Sequence, residues 1–277
     1  MICYQTMMEV SGQLYQAHSL ALKAGTSTSF LQVTSLMWLR TTNNYQYRYG
    51  TKLFQSLKNL YKEGGVLRFY KGFIPSLFVA STCRVGDFTA YYFMNSFKDI
   101  TPFQKILGIS SVSCATRMLV IPVDTLDVML QVEGKKGYKM LYDKVKLNGI
   151  NTLYHGASMW AVMKFVESFL WFGTYDYLER KFPKTENPYI NNLNYGLKGI
   201  TSSFISDVAT NPMRSLKIYK QSNNECVTYT QSVKNIVKNE GLEMLFFRGL
   251  KTRLITHGIQ SGVFVILWKN IEELLTI

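Results

Sequence analysis

Two carboxylates and a proline interrupt a mostly apolar run at residues 121–131, IPVDTLDVMLQ. Asp124 and Asp127 are three residues apart, so a helix would place both on one face. Pro122 would remove a backbone donor and bend that helix. Charged groups in such a segment are costly unless they pair or face a polar interior. The stretch therefore predicts a kinked helix whose acids take part in ion pairs.

Residue types that carry catalysis or bind metal are scattered through the chain. The four cysteines form no CxxC pair, the three histidines are isolated, and no phosphate-binding loop, nucleophile elbow or HExxH motif is present. The net charge is +13, yet the Lys and Arg residues form no single stripe. We therefore predict no catalytic residue, no metal site, no enzyme cofactor and no nucleic acid partner.

The elements that must position the charges are six moderately apolar stretches. Each is long enough to span a hydrocarbon core of about 30 Å as a helix. Their polar residues are mainly Ser, Thr, Gly and Asn, which suit helices that pack together or line a wet cavity. The stretches lie near residues 14–40, 74–98, 103–131, 158–180, 193–221 and 250–275.

A short motif recurs three times along the chain. It reads KEGGVLRFYKG, LNGINTLYHG and NEGLEMLFFRG, and its copies end at Gly72, Gly156 and Gly249, at intervals of 84 and 93 residues. Each copy is an aromatic residue, a basic or His residue and a glycine, preceded by a glycine-bearing turn. A fixed period of this length indicates an internal repeat.

A second motif recurs upstream of the first. PVDTLDVMLQ begins at Pro122, and PMRSLKIYKQ begins at Pro212, 90 residues later. Counting back 89 residues from Pro122 reaches Val33, the start of VTSLMWLRTT. The chain is therefore predicted to be three units of helix, polar linker and helix. Their approximate bounds are 1–98, 99–188 and 189–277.

With these repeats and motifs, the sequence resembles the mitochondrial carrier family over essentially all of its 277 residues. The family pattern is Pro-x-acid-x-x-base-x-base-x-Gln, then acid-Gly, a short spacer and aromatic-base-Gly. The resemblance implies an all-α membrane protein with one domain, residues 1–277. Six transmembrane helices would form a threefold pseudosymmetric barrel with short amphipathic helices on the matrix side. The protein would lie in the mitochondrial inner membrane with both termini in the intermembrane space.

The resemblance also implies a ring of ion pairs that closes the matrix side, in which the acid of one repeat meets a base of the next. Of these pairs only Asp124 with Lys217 remains an ordinary one, and Ser35 would at best form a hydrogen bond to Asp127. The acidic places hold Ser35, Asp124 and Arg214, and the basic places hold Trp38, Asp127 and Lys217.

The other places of this ring are altered as well. Arg214 would meet Trp38 in a cation–π contact, or it would reach Asp127 in a charge-swapped pair. The glutamines that brace such pairs persist as Gln131 and Gln221, whereas Thr42 stands at the first such place. The matrix-side ring is therefore predicted to be asymmetric.

A second ring, on the cytosolic side, would use the motif aromatic-acid-x-x-base on the even-numbered helices. Here the corresponding stretches read YYFMN, YDYLE and LWKNI. No acid–base pair across repeats is predicted to be left at these places. The acidic places hold Tyr92, Asp176 and Trp268, and the basic places hold Asn95, Glu179 and Ile271.

Substrate contacts can be placed by counting seven residues past each aromatic-base-Gly motif. That count gives Val79, Met163 and Thr256, with Lys164 adjacent as the charged candidate. Two acids, Asp87 and Glu167, would also face the cavity, and Arg84 could pair with one of them. Packing alone would explain many of these residues, and Lys164 is the strongest single candidate for a ligand contact.

Cardiolipin headgroups are the lipid partner that the resemblance implies at the ends of the linkers. Backbone amides at helix N-termini favour phosphate groups there. The predicted lipid-binding residues are Tyr70, Lys71, Gly72, Tyr154, His155, Gly156, Phe247, Arg248 and Gly249.

Two functions are consistent with these features. Altered rings and bland contact positions favour a carrier fold that has lost transport and serves as an accessory subunit of a larger inner-membrane assembly, such as a respiratory complex. The alternative is an atypical solute transporter of unknown substrate that works by alternating access.

Overall fold

The computed structural model describes residues 2–97, 99–185, 187–223 and 227–276; within these ranges it describes side chains from residue 22 onward, except those of residues 24, 268 and 271–276. The described residues form helices and connecting turns without β-strands, which confirms the all-α fold. Six long helices are α1 Ile2–Tyr49, α3 Phe73–Ser96, α4 Pro102–Glu133, α6 Ala157–Lys181, α7 Pro188–Ser222 and α10 Leu250–Thr276. The shorter elements are α2 Leu53–Phe69, α5 Lys135–Asn148, a 3-10 turn Ile150–Tyr154, α8 Tyr229–Glu240 and α9 Leu242–Phe247.

Local sequence explains where several long helices begin. Thr101 caps α4 in a capping box with Gln104, and Pro102 occupies the first turn, where no backbone donor is needed. Asn187 caps α7 ahead of Pro188, and its side-chain oxygen accepts from the backbone N–H groups of Tyr189 and Ile190. The first helix is longer than expected, because its helical backbone begins at residue 2 rather than near residue 14.

The six long helices pack as a closed ring. Each contacts its neighbours in chain order, from α1 against α3 round to α7 against α10, and α10 closes the ring on α1. Small residues allow the close contacts: a Cβ at Gly199 of α7 would lie 2.7 Å from the carbonyl oxygen of Ser261 on α10. Within the described residues, one helix, Pro102–Glu133, is long and apolar enough by itself to cross a membrane. The other long helices turn charged and hydroxyl side chains into the ring.

The ring has two different ends. We call the end that carries α2, α5 and α8 the linker end, and the opposite end, where the chain starts and finishes, the terminal end. Pro122 and Pro212 lie inside α4 and α7 toward the linker end, and both helices continue past them. The third equivalent position, Val33, lies inside α1 and is buried.

Three buried cations of the linkers cap the first helix of the following repeat. Arg68 of α2 donates to two carbonyls in the last turn of α4, at 2.9 and 2.6 Å. Lys144 of α5 donates to carbonyls at the end of α7. Arg248, after α9, donates to a carbonyl in the last turn of α1 at 2.9 Å. A cation at a helix C-terminus contributes about 0.3–1 kcal/mol, and up to about 2 kcal/mol when partly buried.

The acid-Gly motif supports two of these caps. Glu63 accepts from Arg68 Nε at 2.8 Å, and Glu240 pairs with Arg248. In the middle repeat Asn148 replaces the acid, and its amide donates to its own helix. The caps therefore follow the threefold repeat even where the residue types differ.

Candidate functional site

A central cavity of about 230 Å³ lies between the six long helices. Its wall carries an excess of cations over carboxylates, and its other polar groups are mainly amides and hydroxyls. The basic lining residues are Arg40, Arg84, Arg117, Lys164, Arg214, Lys217 and Arg253, and the acidic ones are Asp87, Asp124 and Glu167.

The predicted pair between Asp124 and Lys217 is present at the linker end. Lys217 Nζ donates to Asp124 Oδ2 at 2.6 Å, and both side chains are buried. Gln221 also donates to Asp124, at 3.3 Å, and the Lys217 ammonium lies 4.0 Å from the centre of the Trp160 ring. Gln221 and Trp160 therefore add one contact each to the ion pair, Gln221 to the carboxylate and Trp160 to the ammonium.

Asp127 makes a different contact from the one predicted. Arg40 donates to Asp127 Oδ2 at 2.9 Å, while Ser76 and Gln131 each donate to Oδ1 at 2.6 Å. The expected hydrogen bond from Ser35 is absent, because Ser35 is exposed and donates to a carbonyl of its own helix. Arg40, at the second basic place of the family pattern, takes that role.

Arg214 also has partners other than those predicted. It donates to Glu167 at 3.0 Å and lies 3.5 Å from Asp207. Both alternatives for Arg214, a cation–π contact with Trp38 and a pair with Asp127, are wrong. Trp38 is 38% exposed on α1, and carboxylates on α6 and α7 hold the guanidinium inside the ring.

These contacts belong to a larger network on α6, α7 and α10, which we call the charge network. Its members are Lys164, Glu167, Asp207, Arg214, Arg253 and His257. Glu167 pairs with Lys164 at 2.8 Å, with Arg214, and with Arg253 at 3.5 Å. Asp207 accepts from Arg253 at 3.0 Å and lies 2.6 Å from His257 Nδ1. The nearby cations occupy the two carboxylates and would repel a metal ion.

Asp87 and Arg84, both predicted near the cavity, do not pair. Asp87 forms a two-pronged pair with Arg117 of α4, at 2.6 and 2.7 Å. Arg84 instead lies 4.0 Å from the centre of the Phe264 ring and reaches Gln32 at 3.4 Å. Since Arg117 takes both oxygens of Asp87, and Glu167 is held by the charge network, Arg84 has no carboxylate partner among the described side chains.

The three substrate-contact positions obtained by counting from the glycine motif do not all line the cavity. Val79 and Thr256 line the cavity, as does Lys164. Met163 is not among the lining residues; it is 1% exposed and packs in an apolar cluster with Ile121 and Trp160. Its assignment as a substrate contact is therefore wrong, because its side chain faces the neighbouring helices.

Aromatic rings from α3, α6 and α10 meet toward the terminal end. Phe88 stacks on Phe264 with 5.2 Å between ring centres, and Tyr91 stacks on Phe172 at 5.8 Å. Trp171 contacts Phe172 edge-on and donates from Nε1 to Ser261. We call these rings the aromatic layer: Phe88, Tyr91, Trp171, Phe172, Tyr175 and Phe264.

The predicted cytosolic ring positions lie at this end. Asp176 is half-exposed and pairs with Arg180 of its own helix. Glu179 pairs with Lys198 of α7 at 2.7 Å, so an acid–base pair across repeats does exist, with a partner outside the family motif. Asn95 is exposed, and Tyr92 packs against the aromatic layer. The side chains of Trp268 and Ile271 lie outside the described residues.

The predicted lipid-binding positions are not equally accessible. Arg248 is 1% exposed and engaged with α1 and Glu240, so its assignment to a lipid headgroup is wrong. Burial, together with nearby Lys220 and Lys144, lowers the pKa of His155, which leaves it neutral at pH 7. Of the rest, Tyr154 and Phe247 are exposed, whereas Lys71 and Tyr70 are half-buried. Lipid binding there stays a prediction.

The glycines of that motif have a clear structural role. Gly72 and Gly156 have φ values of 87° and 93° and precede α3 and α6. Gly249, with a φ of 67°, precedes α10. A Cβ at Gly249 would lie 2.9 Å from Asn43 of α1, so the motif brings each linker close to the ring.

Sequence reasoning missed Asp207, Arg253 and His257. Asp207 stands among small residues five positions before Pro212, and an acid within a membrane helix marks a functional position by default. Arg253 and His257 are four residues apart, which places them on one helix face. That spacing was the available signal for their association.

Comparisons with known proteins agree with the architecture. The model of the mitochondrial carrier protein family matches residues 21–102, 98–186 and 189–277. A mitochondrial thiamine pyrophosphate carrier 1 of Candida albicans is 24% identical over 64% of this chain and 62% of its own length, so the chain spans less than two thirds of that relative. A mitochondrial thiamine diphosphate carrier 1 of Zea mays is 23% identical over 80% of this chain and 78% of its own. A mitochondrial carrier-like protein of Acanthamoeba polyphaga mimivirus is 22% identical over 83% of this chain and 85% of its own.

The family matches, the closed ring of helices and the repeated motifs lead to one assignment. The chain belongs to the mitochondrial carrier family, and it is a multi-pass protein of the mitochondrial inner membrane, where members of this family are transporters rather than enzymes.

Proposed function

We propose that this protein transports a small anionic solute across the inner membrane by alternating access. The observation that carries this proposal is the charge of the central cavity, whose lining has seven Lys and Arg residues against three Asp and Glu residues. A cavity lined mainly by one sign of charge concentrates the opposite ion. Phosphate and carboxylate groups are the anions that arginine binds best.

Arg84 is the lining cation best placed to bind such a group. It has no carboxylate partner among the described side chains, and an amide, Gln32, and a ring, Phe264, are its contacts. A half-buried arginine without a carboxylate in contact gains more from an incoming anion than one that is already paired. The anion would therefore bind beside Arg84, next to the aromatic layer.

Thiamine diphosphate is the first solute to test. Two relatives are named as carriers of this compound, which joins aromatic rings to a diphosphate. The cavity offers both kinds of contact, since aromatic residues such as Phe88 and Trp171 line it together with the cations. Stacking on aromatic rings favours a planar ligand.

Transport, the alternative function that the sequence left open, is better supported than the accessory-subunit role that the altered rings favoured. The relatives are named as solute carriers, and neither they nor the structure supports a partner complex. A protein that only filled space in an assembly would gain nothing from an excess of cations around a central cavity, because each is costly to desolvate.

Uptake into liposomes tests the proposal. We expect the purified, reconstituted protein to take up labelled thiamine diphosphate, ADP, inorganic phosphate or malate faster than protein-free liposomes. Arg84→Gln should lower that uptake about tenfold, since a hydrogen bond to a charged group contributes about 1.5–3 kcal/mol. Arg180→Gln is the matched control, because Arg180 is 57% exposed and lies outside the cavity.

Uptake no faster than that of protein-free liposomes for all four anions would overturn the proposal. If an anion is taken up but the Arg84→Gln variant matches the Arg180→Gln control, the binding position beside Arg84 is wrong.

A further inference from the structure

The charge network contains a histidine, His257, whose protonation can depend on whether an anion is bound in the cavity. His257 lines the cavity, and its Nδ1 lies 2.6 Å from Asp207 Oδ2. Because a carboxylate only accepts hydrogen bonds, Nδ1 must be the donor. This contact fixes the tautomer and leaves Nε2 as the ring atom that gains or loses a proton.

The other oxygen of Asp207 is already used. Oδ1 accepts from Arg253 at 3.0 Å and lies 3.5 Å from Arg214. Neither arginine therefore competes for the oxygen that orients the imidazole ring. Asp207 is fully buried, so water does not replace His257 as its partner.

Charged groups surround His257 from each helix that packs on it. With His257 neutral, the charge network has three bases and two acids and is already positive. A second positive charge on the ring is then unfavourable, because cations in a poorly solvated site repel one another. The nearest charged groups are Glu167 on α6, Asp207 on α7 and Arg253 on α10 itself, and Lys164 and Arg214 pair with Glu167. On α1, Arg40 and Tyr47 line the same cavity.

An anion in the cavity reverses this balance. When phosphate or carboxylate oxygens bind beside Arg84 in the cavity that His257 also lines, their negative charge offsets that of the network, and protonation of Nε2 becomes favourable. Binding of the anion and binding of the proton thus strengthen each other, and this coupling is reciprocal. Chains of Asp, Glu and His inside membrane proteins commonly act as proton relays.

We propose that the protein moves one proton together with its anion, and that His257 carries this proton. The N–H bond at Nε2 forms when the anion enters from one side. It breaks, and the proton leaves with the anion, when the cavity opens to the other side. The inference rests on the proposed function, since it needs an anionic solute in the cavity.

A pH gradient across the liposome membrane tests the inference. Thiamine diphosphate uptake is measured with and without an outside-acid gradient of one pH unit, while potassium and valinomycin hold the membrane potential at zero. For one proton per anion, we expect this gradient to raise the accumulated solute about tenfold. His257→Gln should bring the ratio of the two uptake values to about one. Arg180→Gln alters an exposed side chain outside the cavity and should keep the wild-type ratio.

The possible results are separable. If thiamine diphosphate, ADP, phosphate and malate all fail to enter, the proposed function fails and the inference fails with it. If an anion enters but the ratio for the unaltered chain is one, only proton coupling is wrong. If His257→Gln keeps a ratio of about ten, another group carries the proton.

A second measurement uses the unaltered protein and so does not depend on whether the His257→Gln variant folds. A pH-sensitive dye inside liposomes that contain the unaltered protein should report about one proton entering per anion. Solute entry without acidification of the interior would overturn the inference whatever the variant does.

Discussion

The two ends of the helix ring are closed by different chemistry. At the linker end, the buried pair Asp124–Lys217 and the partly buried pair Arg40–Asp127 join the first helices of the repeats. Toward the terminal end, stacked rings such as Phe88 and Phe264 join the last helices. Ion pairs need fixed distances and angles, whereas aromatic rings hold contact over a range of offsets.

This difference indicates which end is harder to open. Separating a buried ion pair exposes two charges that must find water or another partner. Separating two stacked rings forfeits about 0.5–1.5 kcal/mol beyond the area that becomes exposed. We therefore expect the linker end to be the more firmly closed of the two.

Asp124→Asn should have the largest effect on stability. It leaves Lys217 charged, buried and without its carboxylate, and breaking a buried pair in this way costs about 3–5 kcal/mol. We expect a clearly lower thermal unfolding temperature for the detergent-solubilised protein. An unchanged unfolding temperature would show that the pair does not close this end.

A double variant sharpens that prediction. Adding Lys217→Met to Asp124→Asn removes the stranded charge and retains a side chain of similar length. The double variant should regain much of the lost stability, because an apolar replacement of a buried ion pair is often neutral. If the double variant is even less stable than Asp124→Asn, the loss of stability comes from altered packing and not from an unpaired charge.

Phe264→Leu should have an intermediate effect at the other end. It removes the stacked contact with Phe88 and the cation–π contact with Arg84 while keeping an apolar side chain. We expect a loss of about 1–3 kcal/mol from these two contacts, measured by thermal unfolding in parallel with Asp124→Asn. A loss larger than that of Asp124→Asn would reverse the proposed order of the two ends.

Asp176→Asn should have the smallest effect. Its pair with Arg180 lies within α6, and both side chains are about half exposed. Exposed pairs of this kind contribute about 0–1 kcal/mol. The unfolding temperature should therefore stay close to that of the unaltered chain. A large drop would show that Asp176 stabilises the fold through more than its exposed pair with Arg180.

The repeats and one pair of the linker-end ring were predictable from the sequence. The recurring glycine and proline motifs fix the register of the three units, and register alone brings Asp124 opposite Lys217. The family pattern has two basic places in each repeat; Trp38 holds the first of them, and Arg40, at the second, forms the ion pair with Asp127. The second basic place of the family pattern is the feature of the sequence that could have predicted this pair.

The charge network and the aromatic layer were harder to predict. Asp207 and His257 are 50 residues apart, and no repeated motif relates them. Their contact depends on how far α7 and α10 rotate about their axes, which packing of Gly199 against Ser261 helps to set. The Lys198–Glu179 pair was missed for the same reason, since Lys198 lies outside the positions that the family pattern compares.

The three linker caps have a mechanical consequence. Arg68 fastens the first repeat to the second, Lys144 the second to the third, and Arg248 the third to the first. Each repeat therefore caps a helix of the next repeat, and its own first helix is capped by the preceding one. A displacement of one repeat at the linker end therefore pulls on the other two. Such a closed circuit favours concerted, all-or-none opening over the independent movement of single repeats.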